Sequence, residues 1–136
     1  MHKAFIDTSV ILRILVQDDN VKIKASVKLI KESKKRGIVL YILPVVILEI
    51  VWVLEKVYKY DKKTIREHIE AILNTPELKC EMGSVFRMAI RTYEEKNIKF
   101  ADAVMGYWGI ERDIFVVYTY DEKDFGRIEN LEVQKP

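Results

Sequence analysis

Four acidic residues stand in unusually apolar surroundings, and they are the side chains of this sequence best suited to chemistry. They are Asp7, Glu49, Asp102 and Asp121. Glu49, for example, is the single charged residue of the segment 44–54. Because burying an unpaired carboxylate costs several kcal/mol, the pattern predicts that another group compensates these charges.

A divalent metal is the compensation that four gathered carboxylates favour. Two carboxylates about 4 Å apart repel by roughly 4 kcal/mol at an effective dielectric constant of about 20. The chain has only His2, His68 and a single cysteine, Cys80, as alternative ligands, so all-oxygen ligation by Mg²⁺ or Mn²⁺ is predicted rather than Zn²⁺. Such an ion suits phosphodiester hydrolysis, which makes nucleic acid the natural substrate class.

Each acid also has an ordinary structural explanation. Asp7 and Asp102 could be N-caps of the helices that follow them, and Glu49 could form a salt bridge with an arginine. Asp121 and Asp124 could be turn residues. Convergence of the acids at one site is therefore a hypothesis that the fold must support.

The elements that would position the acids alternate between strands and helices. Strands are predicted at 3–6, 38–43, 78–82, 114–118 and 131–133. Helices are predicted at 10–16, 21–36, 44–54, 62–73 with Asp61 as its cap, from 83 onward, and at 100–111. This alternation predicts an α/β fold with a central, mainly parallel sheet covered on both faces, and ligands gather at the carboxyl ends of such strands.

Composition narrows the class of protein. The chain has 136 residues, 49% of them hydrophobic, which predicts one domain spanning 1–136. Its net charge of +2 is too small to indicate nucleic-acid binding by itself. One cysteine, no signal-peptide pattern and no membrane-spanning segment predict a soluble, cytoplasmic protein with no membrane partner. Motifs of serine hydrolases, P-loop NTPases, dinucleotide enzymes and zincins are absent.

Four segments carry a family resemblance, and they are Phe5–Ser9, Glu49 in its apolar helix, Ala101–Ala103 and Thr119–Phe125. In order and spacing the chain resembles the PIN-domain nucleases, most of all the VapC-type ribonuclease toxins of prokaryotic toxin–antitoxin pairs. The resemblance spans nearly the whole chain. It implies a three-layer α/β/α, Rossmann-like PIN fold and a Mg²⁺- or Mn²⁺-dependent endoribonuclease.

The resemblance also implies roles for particular residues. The acidic quartet that binds metal and performs catalysis corresponds to Asp7, Glu49, Asp102 and Asp121. Supporting positions beside the metal correspond to Thr8, Ser9 and Thr119. Asp124 also fits the closing motif, and we assign Asp121 as the fourth acid with Asp124 in support. The family further implies an RNA substrate, a homodimer and a cognate antitoxin.

Two other function classes remain open. One is a catalytically inactive PIN domain that binds RNA or protein. The other is a phosphatase-like or receiver-like acidic pocket, although the lysine that usually follows a strand in such sites is not evident.

Two further features have both a functional and a structural interpretation. Residues 22–36 carry seven positive charges against Glu32 alone, so this segment could follow an RNA backbone or be an ordinary solvated face. Trp52 and Trp108 could stack on bases, but their apolar neighbours favour packing in the core or at an interface.

Overall fold

The computed structural model describes residues 2–136, which form two compact units. The first unit runs to Glu81 and the second from Met82 to Pro136. Helices alternate with parallel strands, so the predicted α/β class is confirmed. Within residues 2–136, no helix has both the length and the apolar character that crossing a bilayer requires.

The first unit is built on a parallel sheet. Its elements within residues 2–81 are β1 (His2–Phe5), α1 (Thr8–Val16), α2 (Asn20–Glu32), β2 (Ile38–Ile42), α3 (Pro44–Lys56), α4 (Lys62–Leu73) and β3 (Leu78–Cys80). The strand order is β1-β2-β3, with Leu40 paired to Ala4 on one side and to Leu78 on the other. Leu40 and Ile42 are buried, so the central strand forms the middle of this unit's core.

Local chemistry fixes where several helices of the first unit begin. Asp19 and Asp61 each accept a hydrogen bond from the backbone N–H three residues later, at 3.0 and 2.8 Å. Pro44 occupies the first turn of α3, where a backbone N–H has no helical partner in any case. The predicted helix starts at Pro44 and after Asp61 are confirmed.

The end of α2 differs from the prediction. The charged pattern predicted a helix to Arg36, but α2 ends at Glu32. The Ser33 hydroxyl donates to the Ile30 carbonyl oxygen at 2.8 Å, and the chain then turns through Gly37, whose φ is +69°. A side-chain bond to the backbone thus closes the helix one turn early.

The second unit pairs two long helices with a short parallel sheet. Its elements are α5 (Gly83–Lys96), α6 (Phe100–Glu111), β4 (Val116–Tyr118), α7 (Glu122–Phe125) and β5 (Glu132–Gln134). The Phe100 ring lies 6.1 Å from the Phe86 ring and 5.9 Å from the Tyr93 ring, centroid to centroid. These buried aromatic side chains join α5 to α6.

Glycines on α6 allow close packing rather than ligand approach. A Cβ on Gly109 would lie 2.8 Å from the Ile114 carbonyl oxygen, and one on Gly106 would lie 2.7 Å from Ile128 Cδ1. The Ile114 N–H donates to the Gly109 carbonyl at 2.8 Å, so Ile114 belongs to the turn that closes α6. For this reason β4 begins at Val116, two residues later than predicted.

Candidate active site

Asp7 lies between β1 and α1 and caps the helix. Its Oδ2 accepts hydrogen bonds from the Ser9 hydroxyl at 2.8 Å and from the Ser9 backbone N–H at 3.4 Å. The side-chain bond most of all, and then the backbone bond, lowers the pKa of Asp7. The N-cap explanation is therefore correct for Asp7, and the cap also keeps an exposed carboxylate ionised where a parallel strand ends.

A hydrogen bond joins Thr8 to Glu49 within the first unit. Thr8, the first residue of α1, is only 6% exposed, and its hydroxyl donates to Glu49 Oε2 at 2.8 Å. Hydrogen bonds to ionised acceptors are stronger than neutral ones, so Thr8 restricts the orientation of this carboxylate. The bond connects α3 to the start of α1, immediately after Asp7.

The surroundings of Glu49 differ from the prediction. The apolar surroundings in the sequence implied a buried carboxylate, but Glu49 is exposed, together with Val45 and Trp52 on the same stripe of α3. A core position for Trp52 is wrong, since 60% of this residue is exposed. No ion pair involves Glu49 within residues 2–136, so the arginine partner considered above is not observed.

Asp102 and Asp124 lie close together in the second unit. Asp102 occupies the first turn of α6, whose N-cap is Lys99, so the N-cap explanation is wrong for Asp102. Asp124 is only 6% exposed and accepts a hydrogen bond from the Lys99 backbone N–H at 3.0 Å. Burial first, and then the negative charge of Asp124, raises the pKa of Asp102. The charge of Asp121 acts in the same direction.

Lys99 is a neighbour of these carboxylates that the sequence motifs did not reveal. Its Nζ lies 3.9 Å from Asp121 Oδ2, with both side chains mostly exposed, and its charge opposes the rise in the pKa of Asp102. The available signal was its position, three residues before Asp102. Thr119 has a local role, because its Oγ1 accepts the Asp121 backbone N–H at 2.9 Å and so shapes the turn after β4.

The donor chemistry of both units suits a hard cation. The predicted ligands offer carboxylate oxygens only, and the like charges near Asp102 disfavour its ionised form, which a cation would restore. Within either unit, no group of three or more His, Cys, Asp or Glu side chains in residues 2–136 is arranged to hold a metal. Asp7 and Glu49 belong to the first unit, and Asp102, Asp121 and Asp124 to the second.

Comparison with known proteins supplies the family. The model of the PIN domain family matches residues 4–131, which include all four predicted acids. The chain is also 30% identical over 99 residues to a protein named VapC ribonuclease from Aquifex aeolicus (strain VF5), and this alignment covers 73% of each chain. The chain therefore belongs to the PIN-domain family, as a VapC-type member.

Proposed function

We propose that this protein is a Mg²⁺- or Mn²⁺-dependent endoribonuclease that hydrolyses RNA phosphodiester bonds, and that it is the toxin of a toxin–antitoxin pair. The family membership and the relative named a VapC ribonuclease support this assignment. The observation that carries it is the bond from buried Thr8 to exposed Glu49. The protein orients the Glu49 carboxylate, but no cationic side chain within residues 2–136 pairs with it. Such a carboxylate is suited to bind an external cation.

The proposed site consists of the four acids that the family resemblance implies. Asp7, Glu49, Asp102 and Asp121 are the proposed metal ligands and catalytic residues. When bound, Mg²⁺ or Mn²⁺ orients the phosphodiester, lowers the pKa of an attacking water and stabilises the leaving oxygen.

The remaining residues of the proposed site prepare these ligands. Ser9 stabilises the ionised form of Asp7, and Thr8 holds the Glu49 carboxylate. Asp124 accepts a hydrogen bond from the backbone N–H at the start of α6, which positions Asp102 in the first turn of the helix. Thr119 fixes the turn that carries Asp121. Lys99 supplies positive charge beside this turn, where an RNA phosphate can be attracted.

The same assignment includes partners and location. A cognate antitoxin and an RNA substrate accompany a VapC-type toxin, and the name of the relative supports both. We further propose a homodimer in the cytoplasm. RNA substrates are found there, and a chain with one cysteine, Cys80, is compatible with reducing conditions.

Cleavage of RNA by matched variants tests the proposed function. Asp7→Asn and Asp102→Asn each replace one carboxylate, in different units, with an amide of the same shape. We expect both variants to lose Mg²⁺- or Mn²⁺-dependent cleavage while keeping the wild-type circular dichroism spectrum. Asp61→Asn is the control, because an asparagine still caps α4 and this residue is outside the proposed site. Full activity in both site variants would refute the assigned chemistry, and RNA binding without cleavage by the wild type would favour the inactive binding module.

A further inference from the structure

One face of α2 carries a row of lysines, which we call the lysine stripe. It consists of Lys24, Lys28 and Lys31, at positions i, i+4 and i+7 of the helix. All three are exposed and line the same shallow cleft, together with Ile23 and Val27. Glu32 is the acidic residue among those that line this cleft.

The charges of the lysine stripe are not neutralised by the protein. Within residues 2–136, no ion pair involves any of its three ammonium groups, whereas Lys22 on another face of α2 lies 4.0 Å from Asp19. Like charges at i, i+3 and i, i+4 repel each other and weaken a helix. The chain as a whole has a net charge of only +2, so this is a local concentration of charge. A surface of this kind is suited to a polyanion.

We propose that the lysine stripe binds the phosphate backbone of single-stranded RNA, as a surface additional to the cleavage site. That the bound RNA is also the substrate of the protein rests on the proposed function. A rise of about 1.5 Å per residue separates successive lysines by about 4.5–6 Å along the helix, which is comparable to the spacing of phosphates on an extended strand. Ile23 and Val27 line the cleft beside the lysines, which suits lysine side chains that keep their apolar stems against apolar surface and their charged ends in solvent.

An RNA backbone fits this surface better than an acidic peptide does. A peptide helix that docks in a groove gains most of its affinity from apolar anchors in pockets, and this shallow cleft offers only two aliphatic side chains among its lining residues. Lysine ammonium groups on flexible stems suit phosphates as point charges and need no fixed geometry. Binding should therefore be independent of sequence and strongly dependent on salt.

The test measures RNA binding without cleavage. The full chain is titrated with a fluorescent, unstructured oligoribonucleotide in EDTA, over a series of salt concentrations. The variant Lys24→Gln/Lys28→Gln/Lys31→Gln removes three phosphate contacts, so the slope of log K against log salt should fall by about 2. At about 0.1 M salt this corresponds to about 100-fold weaker binding.

Two matched variants accompany this measurement. Lys63→Gln/Lys96→Gln/Lys135→Gln changes the net charge equally at exposed lysines outside the lysine stripe and should keep the wild-type slope. Replacing the three lysines of the stripe with arginine keeps their charge and should restore binding. Circular dichroism of each variant verifies the fold.

Each outcome decides the inference. Wild-type affinity and slope in the glutamine variant of the stripe would overturn it, as would equal losses in the two glutamine variants. The inference would also be overturned if the glutamine variant of the stripe lost binding to an acidic amphipathic peptide but kept its RNA binding. That result would favour a protein partner for this surface. A separate cleavage assay with Mn²⁺ distinguishes the proposals. If RNA binding depends on the lysine stripe but the protein does not cleave RNA, the inference stands and the proposed nuclease activity is refuted. If the protein cleaves RNA but binding does not depend on the lysine stripe, the nuclease stands and the inference is refuted.

Discussion

Replacing Thr8 with valine removes one hydrogen bond from the candidate site and preserves the shape of the side chain. The lost bond joins Thr8 Oγ1 to Glu49 Oε2 across 2.8 Å, from a residue that is 6% exposed. Hydrogen bonds to charged groups contribute about 1.5–3 kcal/mol to stability. Because Glu49 is exposed, water can replace the donor, so we expect the free energy of unfolding to fall by the lower part of this range, about 1.5–2 kcal/mol.

The same substitution should weaken metal binding. A Glu49 carboxylate without the Thr8 bond samples more orientations, and loss of a hydrogen bond to a ligand typically reduces metal affinity by about 10- to 100-fold. Urea unfolding in EDTA measures the first effect, and calorimetric titration with Mn²⁺ measures the second. Unchanged unfolding and unchanged Mn²⁺ affinity in Thr8→Val would together refute this reasoning.

Two further variants assign the effect to the hydrogen bond. Thr8→Ser keeps the hydroxyl and loses a buried methyl group, so it should lose about 0.8 kcal/mol of stability but retain its Mn²⁺ affinity. A double-mutant cycle with Glu49→Ala, which removes the acceptor, should give a coupling energy of about 0.5–1 kcal/mol or more, whereas additive effects would show that the two side chains act independently.

The second unit yields two other predictions. Asp124→Ala leaves the backbone N–H of Lys99 without its acceptor and should lower the free energy of unfolding by about 1–3 kcal/mol. Asp121→Ala changes an exposed residue, so it should retain the stability of the wild type but lose RNA cleavage. Equal destabilisation in urea would contradict these separate roles. Because burial and the charge of Asp124 raise the pKa of Asp102, the native state keeps this proton to higher pH than the unfolded chain does. The stability of the metal-free protein should therefore fall as the pH rises from the ordinary carboxyl range through that raised pKa. Thermal melting at a series of pH values should show this slope for the wild type and not for Asp102→Asn. An unchanged pH profile in the variant would contradict the assignment.

Sequence was most informative where local chemistry decides the structure. Pro44 and Asp61 determine where α3 and α4 begin through interactions within the first turn of each helix. The positions of these two residues in the sequence were therefore enough to predict both helix starts. Met82 shows the limit, because its left-handed φ of 60° ends β3 before the predicted boundary and opens α5. A side chain of this kind gives little indication of such a backbone conformation.

The candidate site was predictable in its residue types but not in its contacts. Acids such as Glu49 were conspicuous because charge is rare in an apolar segment. The exposure of Glu49 could not be predicted, because α3 has apolar residues on both its buried and its solvent faces. The contact of Lys99 with Asp121 joins positions 22 residues apart in the sequence, and pattern alone does not pair such positions.

Binding of Mn²⁺ by the 136-residue chain tests most directly whether Asp7 and Asp102 are both metal ligands. Calorimetric titration near neutral pH should show binding by the wild type, and loss of that binding in Asp7→Asn, from the first unit, and equally in Asp102→Asn, from the second. Wild-type Mn²⁺ affinity in either variant would contradict the proposed role of that carboxylate as a metal ligand.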